Sequence, residues 1–345
     1  MALAPTTLEQ IASRAGVSRK TVARALAGEH KGHWASTAHR VDRIRRIAAD
    51  LGYRPNVAAK AVRTGRFGCI TLLISEVHAH SIVFDSLIRG IQDVTDQARL
   101  RLMTARLPDT VLTDEQAVPK ILSEQHSDGL LINYFANYPD RMVHLIRNYN
   151  VPSIWLNSKL EQDTVRPDDF AAGRAATEHL LQLGHTRITY LDYRSKGQHH
   201  YSMDDRRDGY AAAMVAAGLS PRVATLPMTV YLRNRISFTK QVLAGADRPT
   251  AAICYDPGTA NHVYHAADVF GLHVPDDLSL ITYSETRHSG NDVFTTTMLV
   301  PMAQAASEAA SLLMSKIDNP TITYETRLIP FGFEPGESCS PLRKA

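Results

Sequence analysis

The chain has 345 residues, of which 44% are hydrophobic and 21% charged, values typical of a globular protein with two or three domains. No apolar run approaches the roughly 18–20 residues needed to cross a bilayer, and the first residues lack the basic and apolar regions of a signal peptide, so we expect a cytoplasmic protein. The cysteines Cys69, Cys254 and Cys339 are too far apart for a zinc or redox motif, and we predict no metal and no cofactor.

Charge is distributed unevenly along the chain. Residues 1–66 contain 13 basic and 4 acidic side chains, a net charge of +9, whereas the remainder contains 25 basic and 31 acidic side chains, a net charge of −6. A basic N-terminal part on an acidic remainder indicates that the N-terminal part binds a polyanion. A merely solvated basic segment is the alternative, and the helix pattern within this part decides between the two.

The first predicted helix follows two threonines. Thr6 or Thr7 can cap it, and Glu9 or Gln10 can complete a capping box. Apolar side chains then share one helical face: Leu8, Ile11, Ala12 and Ala15. Gly16 follows, and glycine tolerates the positive φ of a tight turn.

A second helix, Arg19 to Ala27, is predicted after Ser18, which can cap it. Arg19, Lys20 and Arg24 face outward, opposite an apolar face. Two short helices joined by a glycine-containing turn, the second basic in its first turn, are typical of a helix-turn-helix whose second helix enters the major groove of DNA. A generic helical hairpin is the alternative.

A third helix and a short hinge complete the N-terminal part. The third helix is predicted to be capped by Ser36 and to end at Gly52, after a loop over residues 28–35. Residues 56–66 favour a helix, but one this short is marginal in water unless a partner stabilises it.

Beyond Phe67, short apolar runs alternate with helical stretches. The predicted strands are 69–74, 100–105, 129–132, 151–156, 188–191, 251–254 and 278–283. The predicted helices include 84–98, 170–183, 206–217, 259–270 and 302–317. This alternation predicts two doubly wound parallel sheets, and ligands of such folds bind at the carboxyl ends of the strands.

Several segments resemble the LacI–GalR family of bacterial transcription regulators, the lac repressor type. In the N-terminal part these are residues 7–12, 15–18, 21–26 and 51–56. Residues 168–173, 179–188 and 266–281 resemble the family's core more loosely.

The resemblance implies an all-α helix-turn-helix headpiece, a hinge, and an α/β core of the periplasmic-binding-protein type with two doubly wound parallel-sheet subdomains. The implied boundaries are 1–55 for the headpiece, 56–66 for the hinge helix or linker and 67–345 for the core. Within the core, the first subdomain comprises about 67–168 and 300–327, and the second about 169–299 and 328–345.

By the same resemblance, the chain is expected to be a DNA-binding regulator, usually a repressor, and not an enzyme. A homodimer would bind a pseudo-palindromic double-stranded operator, and a small-molecule effector, a sugar or related metabolite, would bind between the subdomains. The implied DNA-binding residues are Thr7, Ser18, Arg19, Lys20, Thr21, Arg24, Asn56, Ala59, Val62 and Arg63. Arg19 and Lys20 would read guanine edges. Val62 replaces the leucine that family members wedge into the minor groove, so its wedge would be shallower.

The effector site is carried over position by position. Arg206, in an Arg-x-x-Gly motif, would grip the ligand, although a surface arginine is the alternative. Asp168 would face the ligand or cap a helix. Near the strand ends, Tyr255 stands where the family often has asparagine, beside Asp256, and Ser284 stands where it often has aspartate. This chemistry is unusual, and no effector is named from it.

Aromatic and histidine side chains are further candidates for the cleft. Phe84, Tyr134, Trp155 and Tyr231 would supply platforms for a sugar face, or belong to the core or its rim. The loop with His199 and His200 is either a lid or an ordinary solvated loop, and its spacing does not supply enough metal ligands.

Three other classes of protein are alternatives to a DNA-binding regulator. An enzyme has no support, because none of the common catalytic or nucleotide-binding motifs is found. A solute-binding protein would carry an export signal and lack the headpiece. An architectural DNA-binding protein would bind DNA without responding to a ligand. The C-terminal residues show no leucine heptads, which favours a dimer over a tetramer.

Overall fold

The computed structural model describes residues 6–27, 35–77, 81–108, 118–134, 140–194, 199–227 and 232–343. The chain forms two compact units, residues 1–67 and residues 68–345, which we call the head and the body. Each is described by itself.

The described part of the head is helical. Its helices are α1 (Leu8–Ala15), α2 (Arg19–Ala27), α3 (Ala35–Asp50) and α4 (Val57–Thr64). The first three share a core of Ile11, Ala12, Ala15, Val22, Ala25, Val41, Ile44 and Ala48. The predicted helix-turn-helix is confirmed. One detail was wrong: α3 begins at Ala35, so Ser36 lies inside the first turn instead of capping it.

The body contains two lobes, each built on one sheet. The strands of the first lobe are β1 (Cys69–Ser75), β2 (Arg101–Leu107), β3 (Leu130–Asn133), β4 (Ser153–Leu156), β5 (Thr164–Pro167) and β12 (Arg327–Ile329). They pair in the order β12-β5-β4-β3-β1-β2, and every pairing is parallel. The helices of this lobe are α5 (Asp85–Gln97), α6 (Lys120–Ser123), α7 (Asp140–Asn148) and α12 (Met302–Asp318).

The second lobe has a mainly parallel sheet. Its strands are β6 (Ile188–Arg194), β7 (Arg222–Pro227), β8 (Ala251–Cys254), β9 (Ser279–Ser284), β10 (His288–Gly290), β11 (Val293–Leu299) and β13 (Gly332–Glu334). The order is β10-β11-β9-β8-β6-β7, and β10 and β13 run antiparallel to β11. Its helices are α8 (Asp169–Gln182), α9 (Ser202–Ala216), α10 (Leu232–Leu243) and α11 (Pro257–Val269). The predicted architecture of two doubly wound subdomains is confirmed.

The chain passes between the lobes three times, at residues 167–169, 299–302 and 329–332. The third boundary between the lobes was predicted at about residues 327 and 328; β12 pairs with β5 through Ile329, so the strand of the first lobe extends to this residue. Val300, in the second crossover, packs against the cores of both lobes. The carboxyl ends of β3 and β8, the central strands of the two sheets, carry Asn133 and Tyr255.

Candidate functional sites

Side-chain caps fix the two helices of the predicted DNA reader. The Thr7 backbone N–H donates to Gln10 Oε1 at 2.8 Å, and Thr7 Oγ1 accepts from the Gln10 backbone N–H at 3.3 Å, which completes the capping box. Gly16 ends α1 with a φ of 66°, as the predicted turn requires. Ser18 Oγ accepts from the Thr21 backbone N–H at 3.2 Å and caps α2. Thr7, Ser18 and Thr21 thus have structural roles in the isolated head.

The outer face of α2 is basic and exposed. Arg19, Lys20 and Arg24 are all exposed, whereas Val22 and Ala25 are buried in the head core on the opposite face. The three cations therefore contribute little to the packing of the head. Arg19 and Lys20 stand at the start of α2, the position from which a helix in the major groove reaches base edges, and Arg24 lies in its last turn.

The hinge residues form a capped helix, α4. Asn56 Oδ1 accepts from the Ala59 backbone N–H at 3.1 Å, and the Gly65 backbone N–H donates to the Ala61 carbonyl at 2.7 Å. The Val62 side chain is 91% exposed, and Arg63 is exposed beside it. An apolar side chain this exposed gains nothing by burial within its own chain, so it is available to another surface.

In the body, Arg206 of α9 lies in a buried cage. Its Nε–H donates to Asp169 Oδ1 at 2.7 Å, and Nη1 donates to the Tyr255 carbonyl at 3.1 Å. Its guanidinium carbon lies 4.9 Å from the ring centre of Tyr255, 4.5 Å from that of Tyr283 and 5.4 Å from that of Phe331. Such stacking favours a desolvated cation. The alternative that Arg206 is a surface arginine was wrong, since only 7% of it is exposed.

Charge complementarity holds this cage together. Burial acts to lower the pKa of Arg206, but the Asp169 carboxylate and the surrounding tyrosines outweigh that effect and raise it, so the guanidinium stays charged. Asp169 is itself 1% exposed, and its second oxygen has no hydrogen-bond partner among the residues that the structure describes. A buried pair of this kind depends strongly on the presence of both members.

Two glycines allow Asp169 and Arg206 to meet. A Cβ on Gly173 would lie 2.1 Å from the Arg206 carbonyl oxygen, and a Cβ on Gly209 would lie 2.1 Å from that of Phe170. Helices α8 and α9 therefore cross with backbones in contact. The Arg-x-x-Gly motif thus supplies both the cation and one side of the close crossing, and on α8 Asp169 and Gly173, four residues apart, supply the anion and the other side. Asp169 was missed from the sequence, although a carboxylate one helical turn before a glycine could have indicated it.

The other predicted effector residues at the strand ends lie close to this cage, with different roles. Tyr255 covers one face of Arg206, and its OH is 2.8 Å from Ser202 Oγ. Asp168 and Asp256 are helix caps, which accept from the backbone N–H groups of Ala171 and Thr259 at 3.1 and 2.6 Å. Ser284 is half-buried at the end of β9.

Two of the predicted aromatic platforms lie in the core of the first lobe. Tyr134 is fully buried in the first lobe, and its OH donates to the Leu107 carbonyl at 2.9 Å. Trp155 belongs to the same buried cluster, so for both residues the core alternative describes the structure. Phe84 precedes α5 and is 37% exposed. Tyr231 lies outside the described residues.

Two groups of contacts join the lobes on either side of the central strands. On one side, Asp205 of α9 accepts from Lys159 Nζ at 2.6 Å and from Arg166 Nη1 at 3.1 Å. Tyr201 OH donates to Asn157 Oδ1 at 2.9 Å on the same side. On the other side, Ser86 Oγ of α5 donates to Glu285 Oε2, which follows β9. Between the two groups, Asn133 Oδ1 is buried at the end of β3 and finds no hydrogen-bond partner within the described ranges.

Burial shifts the pKa of two groups at this junction. Desolvation, together with Arg206 and His199, lowers the pKa of His200 to about 3, so this histidine is neutral near pH 7. Desolvation raises the pKa of Glu285, against the opposing effect of its hydrogen bond from Ser86. Within the described part of the chain no group of three or more His, Cys, Asp or Glu side chains could hold a metal ion.

Comparisons with known families match both units. Residues 7–56 match the family described as bacterial regulatory proteins, lacI family, and residues 177–339 match the periplasmic binding protein-like domain. No helix in the described ranges has the length and apolar character needed to span a membrane.

Curated relatives extend over nearly the whole chain. The HTH-type transcriptional repressor PurR of Erwinia tasmaniensis is 26% identical over 321 residues, 90% of each chain. The HTH-type transcriptional regulator GntR of Escherichia coli is 25% identical over 344 residues, which cover 96% of this chain and 98% of the relative.

Solved structures share the fold. The lac repressor dimer bound to operator and the anti-inducer ONPF has a TM-score of 0.75 at 21% identity, covering 98% of this chain and 100% of that one. The complex of the transcriptional regulator CelR with cellobiose has a TM-score of 0.60 at 21% identity, covering 96% of this chain and 99% of the other.

Proposed function

Because the chain belongs to the lacI family of bacterial regulatory proteins, we propose that it represses transcription by binding an operator through its head, under the control of a small molecule bound between the lobes of its body. The observation that carries this proposal is the capped α2 with Arg19, Lys20 and Arg24 exposed on one face. The proteins of this family are regulators, and we assign no catalytic step to the chain.

Two copies of the head would engage the two halves of a pseudo-palindromic operator, with one α2 in the major groove of each half-site. Arg19 and Lys20 would read guanine O6 and N7, while Thr7, Ser18, Thr21 and Arg24 would contact phosphates or neighbouring bases. Asn56, Ala59 and Arg63 would bring α4 against the minor groove. The exposed Val62 would enter between base pairs there, exchanging stacking energy for contact area.

The effector site would lie between the two groups of inter-lobe contacts, where β3 and β8 end. Asn133, Arg206, Tyr255 and Ser284 are the residues that we assign to it. Tyr255 is partly exposed while Arg206 behind it is buried, so an effector would meet the tyrosine ring first. A sugar, or a related metabolite with a flat apolar face and donor groups for Asn133 Oδ1, fits this arrangement.

A selection of bound sequences from random duplex DNA tests the proposal. We expect the full-length chain to enrich a two-fold-related site with guanine at fixed positions, and Arg19→Ala to lose or relax that preference. Arg14→Ala is the matched control, because it removes an equally exposed cation from the end of α1 without touching α2. If the wild-type chain enriches no site, and its binding only fades as salt rises, the head is an electrostatic anchor and the proposal is wrong.

A further inference from the structure

Arg206 contacts two of the three crossovers between the lobes. Asp169, its ion-pair partner, is separated from Pro167, the last residue of β5, only by Asp168. Phe331, which stacks on its guanidinium, is separated from Ile329, the last residue of β12, only by Pro330. The end of the first lobe's sheet is therefore one residue away from each contact.

These two crossovers are also joined to each other. The Asp168 backbone N–H donates to the Ile329 carbonyl at 2.9 Å, so β5 and β12 leave the first lobe as a hydrogen-bonded pair. Pro330 has a ring-restricted φ, which limits how far the backbone between Ile329 and Phe331 can adjust. The backbone between Ile329 and Phe331 therefore has fewer free dihedral angles with which to absorb a displacement of β12 before it reaches the Phe331 ring.

The two contacts differ in how freely they can change. Asp169 is fixed relative to Arg206, because α8 and α9 are in backbone contact at Gly173 and Gly209. Phe331 lies outside the regular strands, is only partly buried, and meets the Tyr283 ring edge-on at a centroid distance of 6.2 Å. Any change of lobe angle must alter backbone dihedrals at the crossovers. The stacking of Phe331 on Arg206 is the contact that follows such a change.

We propose that Phe331 is a positioning residue that couples Arg206 to the angle between the lobes. The inference rests on the proposed function, in which Arg206 meets the effector and the lobe angle sets operator affinity. Coupling of this kind is reciprocal, so a change in the Phe331–Arg206 contact alters operator affinity although neither residue belongs to the head.

The experiment uses the full-length chain and the operator enriched in the selection. We expect Phe331→Leu, which keeps an apolar side chain but removes the ring, to change the operator Kd by at least about fivefold, the lower end of typical allosteric couplings. Phe331→Tyr keeps the ring and should leave the operator Kd within about twofold of the wild-type value. Phe333→Leu is the matched control: it removes a ring two residues on, which stacks on His179 at 4.9 Å and not on Arg206.

A merely structural role for Phe331 gives a different result. It would lower the thermal midpoint and the fraction of active protein, measured by stoichiometric titration, and leave the Kd of the active fraction within about twofold of wild type. That result overturns the inference while leaving the proposed function intact, because wild type still binds its operator.

Arg206→Lys covers the case in which Phe331→Leu is recovered in low yield, and a double-mutant cycle joins the two substitutions when both variants are recovered. Arg206→Lys keeps the charge opposite Asp169 and removes the planar group that stacks, so it should change operator affinity in the same direction. The effects of the two substitutions should not add, since each removes the same contact. Strictly additive effects on Kd overturn the coupling.

Discussion

The head and the body place their functional side chains in opposite environments. In the head, Arg19, Lys20 and Val62 are exposed and make no contribution to its core. In the body, Arg206 and Asp169 are buried and form part of the interior of the second lobe. The functional side chains of the head therefore lie on the surface of a core that is complete without them, whereas those of the body are part of its core.

Because of this difference, a substitution of a functional residue should affect binding alone in the head, but both binding and stability in the body. Removing an exposed side chain from α2 or α4 should weaken DNA binding and leave folding unchanged. Removing a member of the Arg206 cage should change folding first. The following substitutions test that contrast, from the largest expected effect to the smallest.

Asp169→Asn should destabilise the body most. It leaves the Arg206 guanidinium buried without its counter-charge, and breaking a buried pair in this way costs about 3–5 kcal/mol. The measurement is the free energy of unfolding in urea. Asp168→Asn is the matched control, because asparagine still caps α8 and that position is partly exposed. If the two substitutions had equal and small effects on the free energy of unfolding, the ion pair would not stabilise the body.

Gly209→Ala should lower the free energy of unfolding by about 3 kcal/mol, the upper part of the range for an overpacked site, because its Cβ would collide with a backbone oxygen that cannot move away. Gly258→Ala, in α11, provides the control with the opposite sign. Its Cβ would have no neighbour closer than 3.4 Å, and alanine there should be neutral or stabilising. A tolerated Gly209→Ala would contradict the close crossing of α8 and α9.

Val62→Leu should tighten operator binding without changing stability. One added methylene contributes about 0.8 kcal/mol when buried against DNA, roughly a fourfold lower Kd. The bend of the operator, followed by energy transfer between dyes at its ends, should increase as the wedge deepens. Val62→Ala should have the opposite effect on both quantities, and unchanged bending in both variants would exclude a wedge at this position.

Glu285→Gln should have the smallest effect, confined to a pH window. Because burial raises the pKa of Glu285 above its ordinary value of 4.5, its contribution to the free energy of unfolding is present below that value and is lost as pH rises through the folded-state pKa. Asp85 and Arg89 also act on this group, the first raising and the second lowering its pKa. In the glutamine variant, the free energy of unfolding should depend less on pH across this window than it does in wild type.

Ser86→Ala gives the complementary measurement on Glu285. The hydrogen bond from Ser86 lowers the pKa of Glu285, so its removal should move the window to higher pH. A window that stays in place would mean that the inter-lobe contact does not influence this carboxyl.

Local patterns in the sequence predicted most of the head and the alternating elements of the body. Caps, turns and amphipathic faces depend on residues a few positions apart, and Thr7, Gly16 and Ser18 act as the sequence predicts. The fold class of the body follows from its apolar runs. Strand β11 was not predicted, because Thr295, Thr296 and Thr297 interrupt its apolar run. All three are buried, and the hydroxyls of Thr295 and Thr296 have partners, Tyr264 and Gly336, that only the tertiary structure supplies.

The cage around Arg206 also depends on contacts that local sequence patterns do not reveal. Asp168 and Asp169 are adjacent, and nothing local distinguishes the helix cap from the ion-pair partner. Their roles depend on where α9 crosses α8, which Gly173 and Gly209 determine over a separation of more than thirty residues. For Tyr134 and Trp155 the sequence left a ligand platform and a core position as alternatives, and only the tertiary structure, in which both rings are buried in one cluster, decides between them.

The late return of the chain to the first lobe, through the second crossover, also determines the order in which the chain can fold during synthesis. The first lobe acquires its last strand, β12, and the helix α12 that covers its sheet only from residues 302–329. The head can complete its local helices early, but on the ribosome the β5 edge and the apolar sheet face beneath α12 stay uncovered until nearly the whole polypeptide has emerged. Such exposed edges and faces favour aggregation, so we expect the nascent body to aggregate more readily than the nascent head.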